Sequence, residues 1–277
     1  MLIIVAYKIV RNILTSKPTG KPRERSDYRM SVIAAENIDP HEAAQFAALA
    51  DQWWDPNGAF QPLHQLGPAR MSFIADMVAE HFSRPRGLSQ LKGLSAIDVG
   101  CGGGLITEPL ARLGAKTVGI DVTDNNIEAA KTHAEISGLE IDYQIDTAEN
   151  LASRGINFDL VVSLEVVEHV PDQGTFLRAL ANLTRPGGLL IAATINRTPK
   201  ALVLAKFAAE YVLGWLPRGT HDWRKFIKPS ELARPLREAG LIVKKPEGIT
   251  YDLFTDEWRR STDISMNYML AATRPAV

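Results

Sequence analysis

The sequence predicts an α/β protein whose core is a doubly wound parallel sheet, and three observations lead to this fold class. From residue 95 onward, short apolar runs rich in β-branched residues alternate with longer stretches of helical character, which is the pattern of successive βαβ units. The first apolar run, 95–99, ends in a turn that is rich in glycine, Gly100–Gly104. Gly138 and Gly240 stand where helices of this pattern would end, because glycine readily adopts the left-handed conformation found there.

Seven strands and four helices follow from this alternation. Two further helices precede the sheet, at 41–54 after Asp39-Pro40 and at 68–82, and the first of them has apolar residues at helical spacing. Residues 198–228 fit neither kind of element and are predicted to form a helical insertion after the fifth strand. The predicted strands are 95–99, 116–120, 141–145, 158–163, 188–194, 242–247 and 266–273, and the helices between them are 104–113, 125–137, 174–184 and 229–239.

Composition excludes several classes of protein. The 277 residues carry a formal net charge of −1 and 45% hydrophobic side chains, so the chain can bury a large core but has no overall basic field that would attract nucleic acid. A single cysteine, Cys101, rules out an intramolecular disulfide framework. We therefore expect an ordinary globular protein without a nucleic-acid partner.

The N-terminal 36 residues differ from the rest of the chain. Met1–Leu14 is apolar except for Lys8 and Arg11, but it is shorter than the roughly 20 residues of a membrane-spanning helix. It also lacks the charge order and cleavage site of a signal peptide. We expect residues 1–36 to be an extension that is disordered or not translated, with an organelle-targeting or membrane-contacting segment as the alternative. The remaining residues, 37–277, are predicted to form one catalytic domain.

The glycine turn distinguishes between two kinds of cofactor. A dinucleotide fingerprint requires Gly-x-Gly-x-x-Gly, and counting from Gly100 places Leu105 at its third glycine. The segment instead places Asp98 two residues before glycines at alternate positions, Gly100, Gly102 and Gly104. It resembles the first motif of the class I adenosylmethionine-dependent methyltransferases. That resemblance implies a Rossmann-like methyltransferase fold, and Asp98 would suit the cationic amino-acid part of S-adenosylmethionine.

Three more motifs resemble those of the same class, in the same order. Asp121 ends the second strand and matches the acid that binds the ribose, and Leu164 follows the fourth strand, 158–163, where such enzymes line the cofactor pocket. Leu183–Gly188 resembles the Leu-x-Pro-Gly-Gly turn before the fifth strand, with one extra residue. One position departs from the class, because Thr147 stands where many members have an aspartate for the adenine amine. Adenine is then expected to be held mainly by backbone groups, with Thr147 beside it.

Segments outside these motifs resemble a narrower family, the ubiquinone-biosynthesis O-methyltransferases, over residues 37–273. The resemblance implies methylation of the phenolic hydroxyl of demethylubiquinol and of 2-polyprenyl-6-hydroxyphenol, and it implies that Arg70 contacts the cofactor, at its carboxylate. Alternatives are another small phenol or carboxylate as acceptor, or a cofactor-binding subunit without turnover. The segments that carry the resemblance are Gln52–Gly58, Pro62–His64, Pro68–Arg70, Asn196-Arg197, Gly219–Trp223, Lys225–Pro229 and Asn267–Met269.

Glu165, Glu168 and His169 follow the fourth strand and are the candidate catalytic residues. Their spacing would place them near one another on a helical turn, at the sheet edge where doubly wound proteins bind ligands. Three hypotheses remain open. The residues hold a divalent cation such as Mg²⁺, as the resemblance to metal-dependent eukaryotic relatives implies, and the cation assists acceptor deprotonation. Alternatively, His169 is the general base without a metal, or the acidic residues only stabilise a helix N-terminus.

The insertion also predicts how the enzyme reaches a polyprenyl substrate. Residues 200–218 combine apolar and aromatic side chains with Lys206 and Arg218, a mixture that suits contact with an anionic membrane surface. The alternative is a buried helix that covers the acceptor site. We expect a cytoplasmic protein associated peripherally with the inner membrane, or with its matrix side in a mitochondrion, and a place in a ubiquinone-biosynthesis complex.

Overall fold

A seven-stranded sheet forms the centre of the molecule in the computed structural model, which describes residues 37–202, 225–252, 255 and 257–276. Seven α-helices, a short helical stretch at 199–202 and a two-stranded hairpin surround it among these residues. The strands are β1 (Ser95–Val99), β2 (Lys116–Asp121), β3 (Asp142–Ile145), β4 (Phe158–Leu164), β5 (Thr184–Ile195), β6 (Ile242–Val243), β7 (Gly248–Asp252), β8 (Glu257–Ser261) and β9 (Asn267–Thr273). The helices are α1 (Pro40–Ala48), α2 (Gln61–Phe82), α3 (Thr107–Arg112), α4 (Asp124–Ile136), α5 (Ala148–Ser153), α6 (Gln173–Leu183) and α7 (Pro229–Glu238).

The order of the strands places the binding crevice. The sheet runs β3-β2-β1-β4-β5-β9-β6, and its first five strands are parallel. Strand β9 is antiparallel to both β5 and β6. The chain reverses its direction of progress across the sheet between β1 and β4, and ligands of open α/β sheets bind at such a reversal, beyond the carboxyl ends of the strands.

Both faces of the sheet are buried, and side chains alternate between them. On β4, Val161 packs with the helices α6 and α7, whereas Leu160 and Val162 pack with α2. On β5, Leu190 packs with α6 and α7, whereas Leu189 packs with α2. Successive side chains of a strand point to opposite faces, so a sheet covered on both sides needs continuous apolar strands. This burial explains the uninterrupted apolar runs from which the strands were predicted.

The predicted α/β class I methyltransferase fold is confirmed, and most predicted elements agree with the structure within a few residues. Two elements were missed: the short helix α5 and the hairpin of β7 and β8. The strand predicted at 242–247 is also shorter than expected, because β6 contains only two residues. The hairpin packs on α2, where the Trp258 indole N–H donates to Gln65 and Arg260 lies over the Phe73 ring at 5.3 Å.

Helix α2 begins earlier than predicted and contains Pro68 in its interior. Proline usually disfavours a helical conformation at the preceding residue, because its ring collides with the Cβ and N–H of that residue. Here the preceding residue is Gly67, which has no Cβ. Burial of Leu66, Ala69 and Phe73 on the sheet side of the helix then outweighs the hydrogen bond lost at the proline.

Parts of two predictions lie outside the described residues. These are the N-terminal extension, 1–36, and most of the insertion, 203–224. Residues 199–202 are helical, and the Thr198 hydroxyl accepts a hydrogen bond from Ala201 N at 3.0 Å at their start. None of the helices in the described ranges has the length and apolar character needed to cross a membrane. The division into an extension and one domain stays a prediction.

Candidate functional site

One cavity of about 430 Å³ lies at the carboxyl ends of β1, β2 and β4. It has two parts, which we name by their residues. The glycine-turn half contains Arg70, Asp98, the turn itself and Asp121, and the imidazole half contains Glu42, Glu168 and His169. The predicted site residues that line the cavity are Arg70, Asp98, Gly100, Gly102, Asp121, Thr147, Leu164, Glu165, Glu168 and His169.

Gly104 is the one predicted site residue that does not line the cavity. The φ angles of Gly100, Gly102 and Gly104 are 74°, 51° and 93°, in the left-handed region that glycine adopts without strain. A Cβ at Gly104 would lie 2.3 Å from the Tyr143 hydroxyl, and one at Gly102 would lie 2.3 Å from the Trp53 ring. These glycines therefore make room for protein side chains, in addition to leaving the turn open to a ligand.

Asp121 is held in one orientation at the end of β2. Its Oδ2 accepts a hydrogen bond from Gly102 N at 3.0 Å. Its Oδ1 accepts from Thr123 N at 2.9 Å and from the Asn126 amide at 3.2 Å. Burial raises the pKa of this carboxyl, while these hydrogen bonds act in the opposite direction. A fixed acceptor beside the glycine turn is what recognition of a ribose hydroxyl requires.

Asp98 places a second carboxyl at the bottom of the same half. It is 3% exposed and accepts a hydrogen bond from the Thr107 hydroxyl at 2.7 Å. Burial raises its pKa to about 7, and the negative charge of Asp121 contributes in the same direction. A buried carboxyl without a cationic partner prefers its neutral form. A bound cation would reverse that preference, which fits the cationic amino-acid part of the expected cofactor.

Arg70 brings a buried positive charge from α2 to the cavity. It is 4% exposed, and its Nη2 donates to Glu165 Oε1 at 2.7 Å. Its buried Nε has no hydrogen-bond partner among the described residues. A buried donor without a partner costs free energy, so a ligand carboxylate in the cavity is a chemically suitable partner. The predicted role of Arg70 at the cofactor carboxylate is compatible with this geometry.

Glu165, Glu168 and His169 line the same cavity, but the predicted helical turn does not contain all three. Glu165 has a left-handed backbone, with φ of 56°, which costs a residue with a side chain about 1–2 kcal/mol. The 3₁₀ helix Val167–His169 begins only after it. Glu165 therefore faces Arg70, whereas the Glu168 carboxylate accepts from the Thr194 hydroxyl at 2.8 Å.

This arrangement does not fit a metal centre. Within the ranges that the structure describes, no three His, Cys, Asp or Glu side chains are grouped so that they could hold a metal ion. Glu165 is paired with Arg70, and His169 turns its Nδ1 to Glu42. Mg²⁺ also prefers oxygen ligands in near-octahedral geometry.

His169 is paired with a carboxylate that the sequence analysis did not select. Its Nδ1 lies 2.5 Å from Glu42 Oε2, on α1. Because a carboxylate only accepts hydrogen bonds, Nδ1 carries the proton and Nε2 is the basic nitrogen. Burial lowers the pKa of His169, but the Glu42 hydrogen bond and the negative charge of Glu168 outweigh it, so the pKa is raised. Lys225 Nζ donates to the other Glu42 oxygen at 2.6 Å.

Thr147 and its neighbour Asp146 both line the cavity. The Thr147 hydroxyl accepts a hydrogen bond from Asn150 N at 3.1 Å and so caps α5. Asp146 accepts from the Asn150 amide at 2.6 Å and from Arg154. Its position directly after β3 matches that of Asp121 at the end of β2, and this positional signal could have identified Asp146 from sequence.

Known proteins resemble both the sequence and the fold. The family model described as a methyltransferase domain matches residues 97–192. A ubiquinone biosynthesis O-methyltransferase of Chelativorans sp. is 52% identical over 86% of this chain and 94% of its own length. One from Sinorhizobium fredii is 49% identical over 89% of this chain and 100% of its own.

Solved structures show the same fold at low sequence identity. A magnesium protoporphyrin IX methyltransferase from Synechocystis, with bound SAH, has a TM-score of 0.57 and 21% identity, covering 84% of this chain and 94% of that chain. An S-adenosylmethionine-dependent methyltransferase from Thermotoga maritima has a TM-score of 0.52 and 16% identity, with 84% and 100% covered.

The fold, the glycine turn and the two carboxyl groups of the cavity define the class of this protein, an S-adenosylmethionine-dependent methyltransferase. The level of identity then defines the family. The chain belongs to the ubiquinone biosynthesis O-methyltransferases. Both the predicted class and the predicted family are thereby confirmed.

Proposed function

We propose that the chain methylates the phenolic hydroxyl of a polyprenyl phenol or quinol of ubiquinone biosynthesis, demethylubiquinol and 2-polyprenyl-6-hydroxyphenol. One observation carries the proposal: a single cavity combines a cofactor half with an imidazole oriented by a carboxylate. The family to which the chain belongs supports the acceptor class. Bound S-adenosylmethionine supplies an electrophilic methyl group to this cavity.

The glycine-turn half would bind and orient the cofactor. Asp121 would accept from a ribose hydroxyl, Arg70 Nε would donate to the amino-acid carboxylate, and Asp98 would face the cationic part. Each group is buried or fixed by protein hydrogen bonds before the ligand arrives. Such preorganisation lowers the entropic cost of placing the two reactants in line. Glu165 then acts as a positioning residue, since its contact is with the Arg70 guanidinium.

His169 would be the general base. The imidazole Nε2 takes the proton of the acceptor hydroxyl as the phenolate oxygen attacks the methyl group, and S-adenosylhomocysteine leaves. A phenol has a pKa of about 10, so a base stronger than ordinary histidine is useful, and the Glu42 and Glu168 carboxylates raise the pKa of His169. Carboxylate–imidazole pairs of this kind also fix the tautomer of the base.

Apolar side chains surround the imidazole half and would hold the acceptor ring. They belong to α1, to the start of α2, to the residue after the 3₁₀ helix and to α6, and all of them line the cavity. Burial of an aromatic ring against such a surface is favourable and excludes water from the reacting atoms. The side chains are Ala43, Phe46, Leu63, Val170 and Phe176.

A labelled methyl-transfer assay tests the proposed function. The purified protein should transfer methyl from S-adenosylmethionine to a short-chain demethylubiquinol analogue and to the corresponding hydroxyphenol. A matched methoxy compound without a free phenol should accept nothing. Lack of transfer to either phenol, with turnover of a carboxylate acceptor instead, would contradict the proposed acceptor.

Contact with the membrane is the second part of the proposal, because a polyprenyl acceptor partitions into the bilayer. Residues 200–218 supply apolar and basic side chains suited to an anionic surface. This segment would contact the cytoplasmic face of the inner membrane. Replacement of Leu204, Trp215 and Leu216 by polar residues should weaken co-sedimentation with anionic liposomes. Unaltered sedimentation would contradict a role of this segment in membrane contact. Replacement of Leu88 by a polar residue is the control, because Leu88 is exposed and far from the segment in sequence, and it should leave sedimentation unchanged.

A further inference from the structure

A chain of hydrogen bonds connects the N-terminal segment to Asp121. The indole N–H of Trp53 donates to Asn126 Oδ1 at 2.9 Å, and the Asn126 amide N–H donates to Asp121 Oδ1 at 3.2 Å. Trp53 is 7% exposed and Asn126 is 2% exposed. All three residues line the cavity, and of the three only Asp121 has a role in the proposed function.

The indole determines which way the Asn126 amide points. An indole N–H can only donate, so it requires the oxygen of the amide. The amide nitrogen is then directed at the Asp121 carboxylate, which can only accept when ionised. In a reversed amide, the Asn126 NH₂ group would meet the indole N–H, and the amide oxygen would meet the Asp121 carboxylate. Two donors and two acceptors would then oppose each other, so the observed orientation is strongly preferred.

Trp53 is itself fixed in position. Its ring stacks on Phe60 with centroids 3.7 Å apart, and its carbonyl oxygen lies 2.8 Å from the His64 imidazole. The ring lies against the backbone of Gly102 and Gly103, where a Cβ would come within 2.3 Å of it. The glycine turn and the indole are thus mutually fitted, which makes the indole a rigid donor.

The Asn126 amide helps to hold the Asp121 carboxylate in one orientation. Oδ1 accepts from Thr123 N and from the Asn126 amide, whereas Oδ2 accepts from Gly102 N. The Thr123 side chain also hydrogen-bonds to this carboxyl. Without the Asn126 amide, Oδ1 would lose a donor, and the orientation that directs Oδ2 to the glycine turn would be held less firmly.

We propose that Trp53 and Asn126 are positioning residues that present Asp121 Oδ2 to the ribose of the cofactor, so that the N-terminal segment is part of the cofactor site. The proposal rests on the assignment of Asp121 to the ribose. It explains why a Trp-containing segment distant from the glycine turn belongs to the same enzyme.

Isothermal titration with two ligands tests the proposal: S-adenosylhomocysteine and its analogue without the ribose 2′- and 3′-hydroxyls. Asn126→Leu should weaken binding of S-adenosylhomocysteine about tenfold, because a misoriented Asp121 would lose the equivalent of one charge-assisted hydrogen bond to the ribose. Binding of the dideoxy analogue should change less than about twofold, because the analogue does not use Asp121. Trp53→Phe keeps an aromatic ring but removes the donor, and should act in the same direction with a smaller effect.

Asn125→Ala is the matched control, since the Asn125 amide donates to Ala47 O on the same N-terminal segment without touching Asp121. It should leave both affinities unchanged. Equal weakening of both ligands in Asn126→Leu and Trp53→Phe would overturn the proposal and leave a purely structural role. If Asn126→Leu fails to fold, Trp53→Phe alone decides between these results.

Asp121→Asn separates this proposal from the assignment on which it depends. If that variant weakens both ligands equally, the ribose assignment itself is wrong. If Asp121→Asn weakens binding of S-adenosylhomocysteine more than binding of the dideoxy analogue, the ribose assignment stands. If Asn126→Leu and Trp53→Phe then weaken both ligands equally, the positioning role is refuted.

Discussion

The two halves of the cavity are built from different parts of the chain. In the glycine-turn half, the two carboxyl groups contact residues near in sequence: Gly102 and Asp121 are 19 positions apart, and Asp98 and Thr107 are 9 apart. Arg70 is the exception, because its partner Glu165 is 95 positions away. In the imidazole half, Glu42 is 127 positions from His169 and 183 from Lys225. Placement of the two carboxyl groups thus depends mainly on local strand–turn structure, whereas placement of Arg70 depends on docking of α2 and orientation of the base depends on docking of α1. The two halves should therefore respond differently to substitution.

Removal of the base should have the largest effect on catalysis. His169→Gln should lower kcat by about 10³-fold, within the range for loss of a general base, and leave the affinity for S-adenosylhomocysteine unchanged. Steady-state kinetics and calorimetry measure the two quantities. A loss of cofactor affinity equal to the loss of kcat would show that the two halves are not separate.

Removal of the buried guanidinium should have the opposite pattern. Arg70→Met should weaken cofactor binding about 30-fold, because it removes a charge-assisted partner and leaves Glu165 unpaired. With saturating S-adenosylmethionine, kcat should fall far less than in His169→Gln. The double variant Arg70→Met with Glu165→Gln is the control, and it should recover part of any lost thermal stability but none of the affinity.

Cofactor binding should depend on pH through Asp98. Its pKa is raised to about 7 in the free protein, and a cationic ligand binds the ionised form. Affinity should therefore increase about tenfold between pH 6 and pH 8, as the ionised fraction rises. Asp98→Asn should abolish the part of the pH dependence that belongs to this carboxyl. An unchanged pH profile in Asp98→Asn would refute the role of Asp98.

Loss of Glu42 should have a smaller effect, confined to the imidazole half. Glu42 raises the pKa of His169, and the neutral imidazole is the active form. In Glu42→Gln the pKa of His169 falls, so the acid limb of the kcat profile should move to lower pH. The plateau should drop about three- to tenfold, because a weaker base transfers protons more slowly.

Asp39→Asn is the control for Glu42→Gln, because Asp39 contacts Lys225 but not His169. It should leave the acid limb where it is in the unaltered enzyme. A shift of the limb in both variants would indicate that the salt bridges only hold α1 in place.

Treatment with EDTA should have no measurable effect on turnover. Glu165 is paired with Arg70, and His169 Nδ1 is paired with Glu42, so both pairs would have to break before these residues could hold a cation together. Activity that disappears on chelation and returns with Mg²⁺ would show that the imidazole half rearranges around a cation, and it would restore the metal hypothesis.

Prediction from sequence placed residues at the cavity where their position depends on short-range order. The glycine turn, Asp98 and Asp121 follow directly from strands whose apolar runs identify them, because the end of a parallel strand always lies at the same sheet edge. Glu165, Glu168 and His169 were found in the same way. Pro68 misled the prediction of α2, because the tolerance given by Gly67 and by tertiary burial is not visible in propensities.

The partners of these residues could not be predicted in the same way. Nothing in the local sequence around Glu42 distinguishes it from any other acidic residue in the first turn of a helix. Trp53 and Asn126 likewise gain their roles from each other, through a hydrogen bond that spans 73 positions. Contacts of this kind depend on where separate helices pack on the sheet.

The sequence by itself determined the fold class and the family and predicted the cofactor half of the site, because periodicity and short motifs encode strands, turns and the groups at strand ends. Only the tertiary structure decided that His169 pairs with Glu42, that Glu165 serves Arg70, and that Trp53 directs Asp121 through Asn126. The physical reason is that hydrogen-bond partners are selected by packing distance and burial, which the order of residues along the chain does not specify.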